Sequence, residues 1–428
     1  SSSSRPSATP SRSPAPRRST LGRVRSLAAA AARASSAAAR VVMPSPSVKR
    51  APPPTPARPP PASTNSLPPP PPRTGSGRTL SIQPFTPSDF APKRVVGRGA
   101  FGVVCLAERR RKAAPGEPPV VYAIKVVDKA NLQGARARAL ARLERDVLDL
   151  LAHRRAPFVA KLRFAFQDSI RLYLAMDYYP AGSLDAVLRS RAFRRRDSRE
   201  AARGVGAELA AALRQLHAFC VVHRDVKPSN VLVDDRGHAR LSDFGLATRL
   251  PKPDGVVAKR SFAGTVNYAA PELLKRTATT FGAAVDCWAL GCLIYEMLEG
   301  RTPFEAETAR ETFSRIVEDR DPAWPADADA DALSTMRHFL ARDPKARLTA
   351  AESVESPWFG ALDFAALDGK AGPLAAVAAV LAECDGMESD DADAELHRLF
   401  RDAGPKTPEG GSEGFAGFSR PESESVVV

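Results

Sequence analysis

The chain has 428 residues, 43% of them hydrophobic, with 39 prolines and a formal net charge of +14; that length allows one large two-lobed domain or two ordinary ones around a packed core. Of the charge, +13 lies in residues 1–88, which hold twelve Arg, one Lys and no Asp or Glu, so the basicity belongs to a tail and the remainder is nearly neutral. The five cysteines, Cys105, Cys220, Cys287, Cys292 and Cys384, form no C-x-x-C pair and no apolar run is long enough to span a bilayer, which argues against a disulfide framework, a zinc site or a membrane span and fits a reducing cytosol or nucleus.

Residues 1–84 are rich in Ser, Pro, Ala and Arg, with polyproline at 52–54 and 68–72. Such a segment buries too little apolar surface to offset its ordering entropy and is predicted to be a disordered tail. Ser13-Pro14, Ser45-Pro46, Thr55-Pro56 and Arg17-Arg18-Ser19 are short candidate phosphosites within it. The acid-free stretch 20–43 has the composition of a transit peptide, which leaves a targeting role open. From residue 85 the pattern changes. Alternating β-branched runs at 93–96, 102–107, 120–126, 162–167 and 172–177, interrupted by an amphipathic stretch at 135–151, predict a small antiparallel sheet with one main helix. Residues 184–359 read as mainly helical. The C-terminal stretch 360–428 is a tail with an Ala-rich helical candidate at 373–383 and an acidic cluster at 389–395. The class is α+β.

Five motifs follow one another along this region. In Gly97-Arg-Gly99-Ala-Phe-Gly102-Val-Val104 the glycines permit close backbone approach to phosphates. The pattern arises by chance roughly once in ten such chains, but here it runs into a strand, whereas a dinucleotide fingerprint opens into a helix. In Val121-Tyr-Ala-Ile-Lys125 a lysine sits at the inner end of a strand, where it needs a carboxylate to hold it; Glu144, on the 135–151 helix, is the candidate. His223-Arg-Asp225-Val-Lys227-Pro-Ser-Asn230 is the most specific, expected by chance in roughly one sequence in 10⁵. Asp243-Phe-Gly245 comes thirteen residues after Asn230, and Ala270-Pro-Glu272 closes the series 27 residues beyond Gly245. A proton acceptor, cations and hard oxygen ligands in this order suit phosphoryl transfer, which is mainly positioning plus charge neutralisation.

The order and spacing resemble the eukaryotic protein kinase family over about residues 85–359. The resemblance implies a small β-rich lobe (85–178) over a larger helical lobe (179–359), with ATP and Mg2+ between them. It implies that Asp225 accepts the proton of the substrate hydroxyl, that Lys227 neutralises the travelling phosphoryl, and that Asn230 and Asp243 hold the metal. Lys125 and Glu144 anchor the phosphates, under the flap of Gly97, Gly99 and Gly102. The resemblance further implies that Val96, Val104, Ala123 and Leu232 wall the adenine, that Met176 guards the back of its pocket, and that Asp177 and Tyr179 lie in the hinge. Gly245 is expected to turn the backbone after Asp243. Asp286 and Trp288 match the central large-lobe helix, Arg347 the partner of Glu272, and His223 a structural brace. Lys227 together with Gly264-Thr265 is similar to the serine/threonine branch.

Residues 289–297 and 358–367 resemble the AGC group, and Ser261-Phe-Ala-Gly-Thr265 resembles the phosphoinositide-dependent kinases within it. Phosphorylation of Ser261 by an upstream kinase, paired with Arg224, is then the implied switch. Phe415-Ala-Gly-Phe418-Ser419 resembles the group's hydrophobic motif, which docks beside the Glu144 helix, with Thr407-Pro408 as an accompanying phosphosite. Ser183, Ser229 and Val266-Asn267 depart from the pattern and leave substrate preference open. The implied partners are protein substrates, on a monomer. Retention of Lys125, Asp225 and Asp243 argues against an inactive scaffold, and the full segment to Glu272 against a small-molecule kinase. The stretch 189–199 has six Arg but only Phe193 as an aromatic and reads as a solvated face without specific nucleic-acid binding.

Overall fold

A computed structural model describes residues 85–99, 102–110, 119–194, 198–259, 262, 264–318, 320–326, 328–360, 369–385, 396, 398–401, 415 and 418–419. All of them belong to one compact unit, Leu80–Val428. The expectations for residues 1–84, Ser261, Thr407 and the acidic cluster at 389–395 lie outside the described residues.

Five antiparallel strands, β1 (Phe90–Arg98), β2 (Val103–Arg109), β3 (Val121–Asp128), β4 (Leu162–Gln167) and β5 (Arg171–Asp177), form a sheet in the order β1-β2-β3-β5-β4. Its two faces follow from the alternation of side chains along a strand. In β3, Tyr122, Ile124 and Val126 point to one face, where Phe90, Phe164, Phe166 and Tyr173 stack among them. Ala123, Lys125 and Val127 point to the other. That inner face is covered by α1 (Gly134–His153), which buries Glu144, Val147, Leu148 and Leu151.

The larger lobe is built from α2 (Leu184–Arg189), α3 (Arg191–Arg194), α4 (Ser198–Ala218), α5 (Pro271–Leu274), α6 (Ala284–Glu299), α7 (Ala309–Val317), α8 (Ala330–Phe339) and α9 (Ala350–Ser353). Short ribbons pair β6 (Val221–Val222) with β9 (Thr248–Arg249), β7 (Val231–Val233) with β8 (Ala239–Leu241), and β10 (Val257–Ala258) with β11 (Thr280–Phe281). Helix α6 carries apolar side chains on every face, as a helix enclosed by others does, and every residue from Val285 to Tyr295 is buried, Asp286 included. Arg347 reaches it from the chain beyond α8: its guanidinium binds Glu272 at 2.7 and 3.0 Å, donates to the Ala284 carbonyl at 2.9 Å and lies 5.2 Å from the Trp288 ring.

The described C-terminal segments pack on both lobes. Helix α10 (Ala375–Asp385), two residues later than predicted, contacts α2 and α3. Ahead of it, Gly372 N–H donates to the Arg236 carbonyl at 2.8 Å and Leu374 N–H to that of Gly237 at 3.1 Å. Leu396, Leu399 and Phe400 join the outer aromatic face of the sheet, where the Leu399 carbonyl accepts from the Tyr173 hydroxyl at 3.2 Å. Phe415 and Phe418 are buried in the cluster that holds Val147 and Leu148. Lys129 lies 5.5 Å over the Phe415 ring, Arg145 5.6 Å over the Phe418 ring, and Gln167 Nε2 donates to the Phe415 carbonyl at 3.0 Å. The motif is therefore docked in cis beside α1, as the resemblance implied. Truncating a buried Phe to Ala costs ~3–5 kcal/mol, so Phe415→Ala with Phe418→Ala should release this segment and lower activity. Amide exchange in α1 should rise. Unchanged activity with unchanged exchange would contradict a supporting role for the motif.

Candidate active site

The centre of the cleft is anchored on α6. The Asp286 carboxylate is fully buried and accepts from His223 N–H and Arg224 N–H, each at 2.8 Å, with His217 Nε2 3.0 Å away. Burial opposes its charge, yet His217, His223 and the backbone donors hold the carboxyl below the usual range. Arg224 takes the left-handed φ of 71°, a strained conformation for this residue type that the two Asp286 bonds help fix. His223 is a brace: its Nε2 contacts the Ser242 carbonyl at 2.9 Å and its ring packs against Phe244.

From this anchor Asp225 projects into a polar cluster. Its Oδ2 accepts from Asn230 Nδ2 at 2.9 Å and pairs with Lys227 Nζ at 2.8 Å. Asn230 Nδ2 also binds the Asp225 carbonyl at 2.9 Å, so the amide presents Oδ1, a hard oxygen, away from Asp225. Lys227 Nζ donates to Thr265 Oγ1 at 3.0 Å and thereby ties the segment after Gly264 to the catalytic loop.

Across the cleft, β3 and α1 bring Lys125 Nζ to 2.5 Å from Glu144 Oε1, with Asp243 Oδ1 at 3.3 Å. Burial disfavours the Lys125 ammonium, but the two carboxylates outweigh it and its pKa is raised. The same ammonium holds the Asp243 carboxyl below the usual carboxylate range. Asp243 is therefore ionised at neutral pH, and with Asn230 Oδ1 it would offer Mg2+ the hard oxygen ligands that this ion favours. Among the described residues no group of three His, Cys, Asp or Glu could hold a metal alone. The sequence expectation that Gly245 makes the turn is corrected: the left-handed residue is Asp243 itself (φ 58°), stabilised by Gly245 N–H donating to its Oδ1 at 3.3 Å. Gly102 is needed for space, because a Cβ there would lie 2.2 Å from the Val126 carbonyl oxygen.

The remaining predicted pocket residues lie on the small-lobe sheet, in the hinge and on β7. Ala123 shares the inner face with Lys125 and pairs with Met176. Gly97 pairs with Val104 and Gly99 N–H binds the Gly102 carbonyl at 2.9 Å. Val96, Val104, Met176 and Leu232 are half-buried, and Tyr179 is buried. Asp177 differs in part, since its carboxylate turns to Arg163 (2.5 and 2.8 Å). Sequence reasoning missed Arg163, Arg136 and His217. For Arg163 a signal existed, because Leu162, Phe164 and Ala165 break the strict alternation of a strand.

Comparison with known proteins agrees with this geometry. Residues 90–359 match the family described as Protein kinase domain. The chain is 35% identical over 356 residues to ribosomal protein S6 kinase alpha-4 of Mus musculus, covering 81% of this chain and 44% of that one. It is 40% identical over 232 residues to serine/threonine-protein kinase Genghis Khan of Drosophila melanogaster (54% and 13%), and 34% identical over 286 residues to a probable serine/threonine-protein kinase of Dictyostelium discoideum (66% and 59%). The chain thus spans from 13% to 59% of the length of these three relatives. With the matching region covering both lobes and the whole of the cleft, the chain belongs to the protein kinase family.

Proposed function

We propose that the chain is an ATP-dependent serine/threonine protein kinase acting in signalling. The observation that carries the reading is the cluster of Asp225, Lys227, Asn230 and Thr265, joined by contacts of 2.8–3.0 Å, facing the Lys125–Glu144–Asp243 group. Asp225 accepts the proton of a Ser or Thr hydroxyl as its oxygen bonds to the γ-phosphorus; the bond from that phosphorus to the β–γ bridging oxygen breaks, and ADP leaves. Lys227 balances charge on the phosphoryl in flight, and Lys125, held by Glu144, orients the phosphates of the nucleotide. Mg2+, when bound to Asp243 and Asn230, neutralises phosphate charge. Phosphorylation of an array of Ser- and Thr-containing peptides by the purified chain tests this reading and reads out substrate class. No transfer to any peptide would overturn it.

Regulation through Ser261 belongs to the same reading. Arg224 Nε is buried with no hydrogen-bond partner among the described residues. Burial, and the like charge of Arg136 on α1, lower its pKa, so the site favours an anion. A phosphate there would add about −1.5 to −2 charges and form one to three charge-assisted hydrogen bonds, ordering the segment that carries Thr265. Ser261→Ala and phosphatase treatment should each lower activity relative to untreated protein shown by mass spectrometry to be phosphorylated at Ser261. Equal activity in all three would remove the switch. An upstream activating kinase, a monomeric state and a cytosolic or nuclear location complete the proposal. Cys105, Cys220, Cys287 and Cys292 are free thiols, which supports a reducing compartment, and among the described residues no helix is long and apolar enough to cross a membrane.

A further inference from the structure

We propose that Arg163 is a positioning residue for the nucleotide, one of three tethers that fasten successive hinge side chains to the small lobe. The inference rests on reading the cleft as an ATP site. Strand β4 carries one residue more than β5 where they pair: Leu162 faces Met176 and Phe164 faces Ala175, leaving Arg163 as the extra residue of a bulge. A bulge re-aims a side chain, and here it takes Arg163 out of the alternation that sends Leu162 and Ala165 to one face and Phe164 and Phe166 to the other. The guanidinium then meets Asp177 as a fork, Nε at 2.5 Å from Oδ1 and Nη2 at 2.8 Å from Oδ2, a geometry only arginine supplies.

The next two hinge residues are held from the same side. Arg94 of β1 donates to the Tyr178 hydroxyl at 2.6 Å with its guanidinium 5.9 Å from the ring centroid. The Tyr179 hydroxyl accepts from Lys161 N–H at 3.2 Å, and Asp177 N–H donates to the Lys161 carbonyl at 3.1 Å. Three residues on, the chain is fastened to the large lobe instead. Val233 N–H donates to the Gly182 carbonyl at 2.9 Å, Ser183 bridges Leu232, and Gly182 takes a φ of 75°. Between the two sets of contacts lie Pro180 and Ala181, in a turn closed by Gly182 N–H donating to the Tyr179 carbonyl at 3.0 Å. The tethers at Asp177, Tyr178 and Tyr179 thus hold the surface that receives the adenine in register with the sheet that carries Lys125 and the Gly97–Gly102 loop. Releasing the clamp lets the hinge shift against the phosphate anchors, and nucleotide binding weakens while proton transfer, which depends on the large lobe, does not.

The test compares the full chain as wild type, Arg163→Ala, Arg163→Lys and the reciprocal exchange Arg163→Asp with Asp177→Arg. Binding of a fluorescent ADP analogue with Mg2+ is measured alongside KM for ATP, KM for a peptide, kcat and Tm. The pair is about one-third exposed, so solvent screening limits the effect: Arg163→Ala should raise the ADP-analogue Kd and KM for ATP about three- to tenfold, with kcat and peptide KM within about twofold. Arg163→Lys should show part of the same rise, because one ammonium cannot span both carboxylate oxygens, and the exchange should recover most of the affinity. The clamp is overturned if wild type binds the analogue and all variants bind it within about twofold, or if kcat, both KM values and Tm move together as in general destabilisation. Wild type that fails to bind the analogue at all overturns the ATP-site reading and the clamp with it.

Discussion

Asp225→Asn is expected to lower kcat by at least about 10²–10⁴, the usual range for loss of a general base, while leaving KM for ATP nearly unchanged. The asparagine keeps the shape of the side chain but cannot take the hydroxyl proton, and it removes the charge that Lys227 meets at 2.8 Å. It lies across the cleft from the hinge and the Gly97–Gly102 loop, so nucleotide affinity should survive. The companion variant Asp243→Asn removes the carboxylate that Lys125 keeps ionised and should leave no measurable turnover. Initial rates with both substrates varied check these outcomes. A kcat for Asp225→Asn within about tenfold of wild type would move the proton acceptor elsewhere.

The largest loss of stability is expected at Arg347. Arg347→Ala should destabilise the fold by about 3–5 kcal/mol, because it strands the Glu272 carboxylate as a buried, unpaired charge. Both partners are buried, the contact is bidentate at 2.7 and 3.0 Å, and the guanidinium also serves the Ala284 carbonyl. Removing both partners, Arg347→Ala with Glu272→Ala, should cost less than the two single losses added together. Glu272 closes the segment that begins at Asp243, so activity should fall with stability in the single variant. Chemical denaturation followed by tryptophan fluorescence measures the effect. A loss below ~1 kcal/mol, the value of an exposed pair, would mean that the interior compensates for the missing arginine.

The fold was legible wherever burial imposed a period. The five strands of the small lobe alternate and α1 has an apolar stripe, so element type and order could be read there, whereas residues 184–359 were legible only as mainly helical and their six short strands were not. The candidate site residues were legible for a different reason: His223 to Asn230 form a compact motif, and the structure brings Asp225, Lys227 and Asn230 into contact. What escaped reading depends on long-range contact. Arg163 acts through a bulge whose partner strand sets the register. Arg136 becomes relevant only because α1 brings it toward Arg224. His217 looks like an ordinary helix residue until α6 places Asp286 3.0 Å away. The turn after the metal-side carboxylate was assigned to Gly245 on propensity, whereas bonds to Lys125 and Gly245 hold Asp243 itself in the left-handed region. Leu396, Leu399 and Phe400 are spaced as one helical face, but nothing local says what that face covers; the aromatic side of the sheet does.

The central claim, that this cleft moves the γ-phosphoryl of ATP to a Ser or Thr hydroxyl, is tested most directly by incubating the full chain with γ-labelled ATP, Mg2+ and a peptide library, then identifying the labelled amino acid. The account predicts label on serine or threonine, lost when Mg2+ is chelated and absent with Asp243→Asn. Label released only as free phosphate, or equal peptide labelling by wild type and Asp243→Asn, would contradict it.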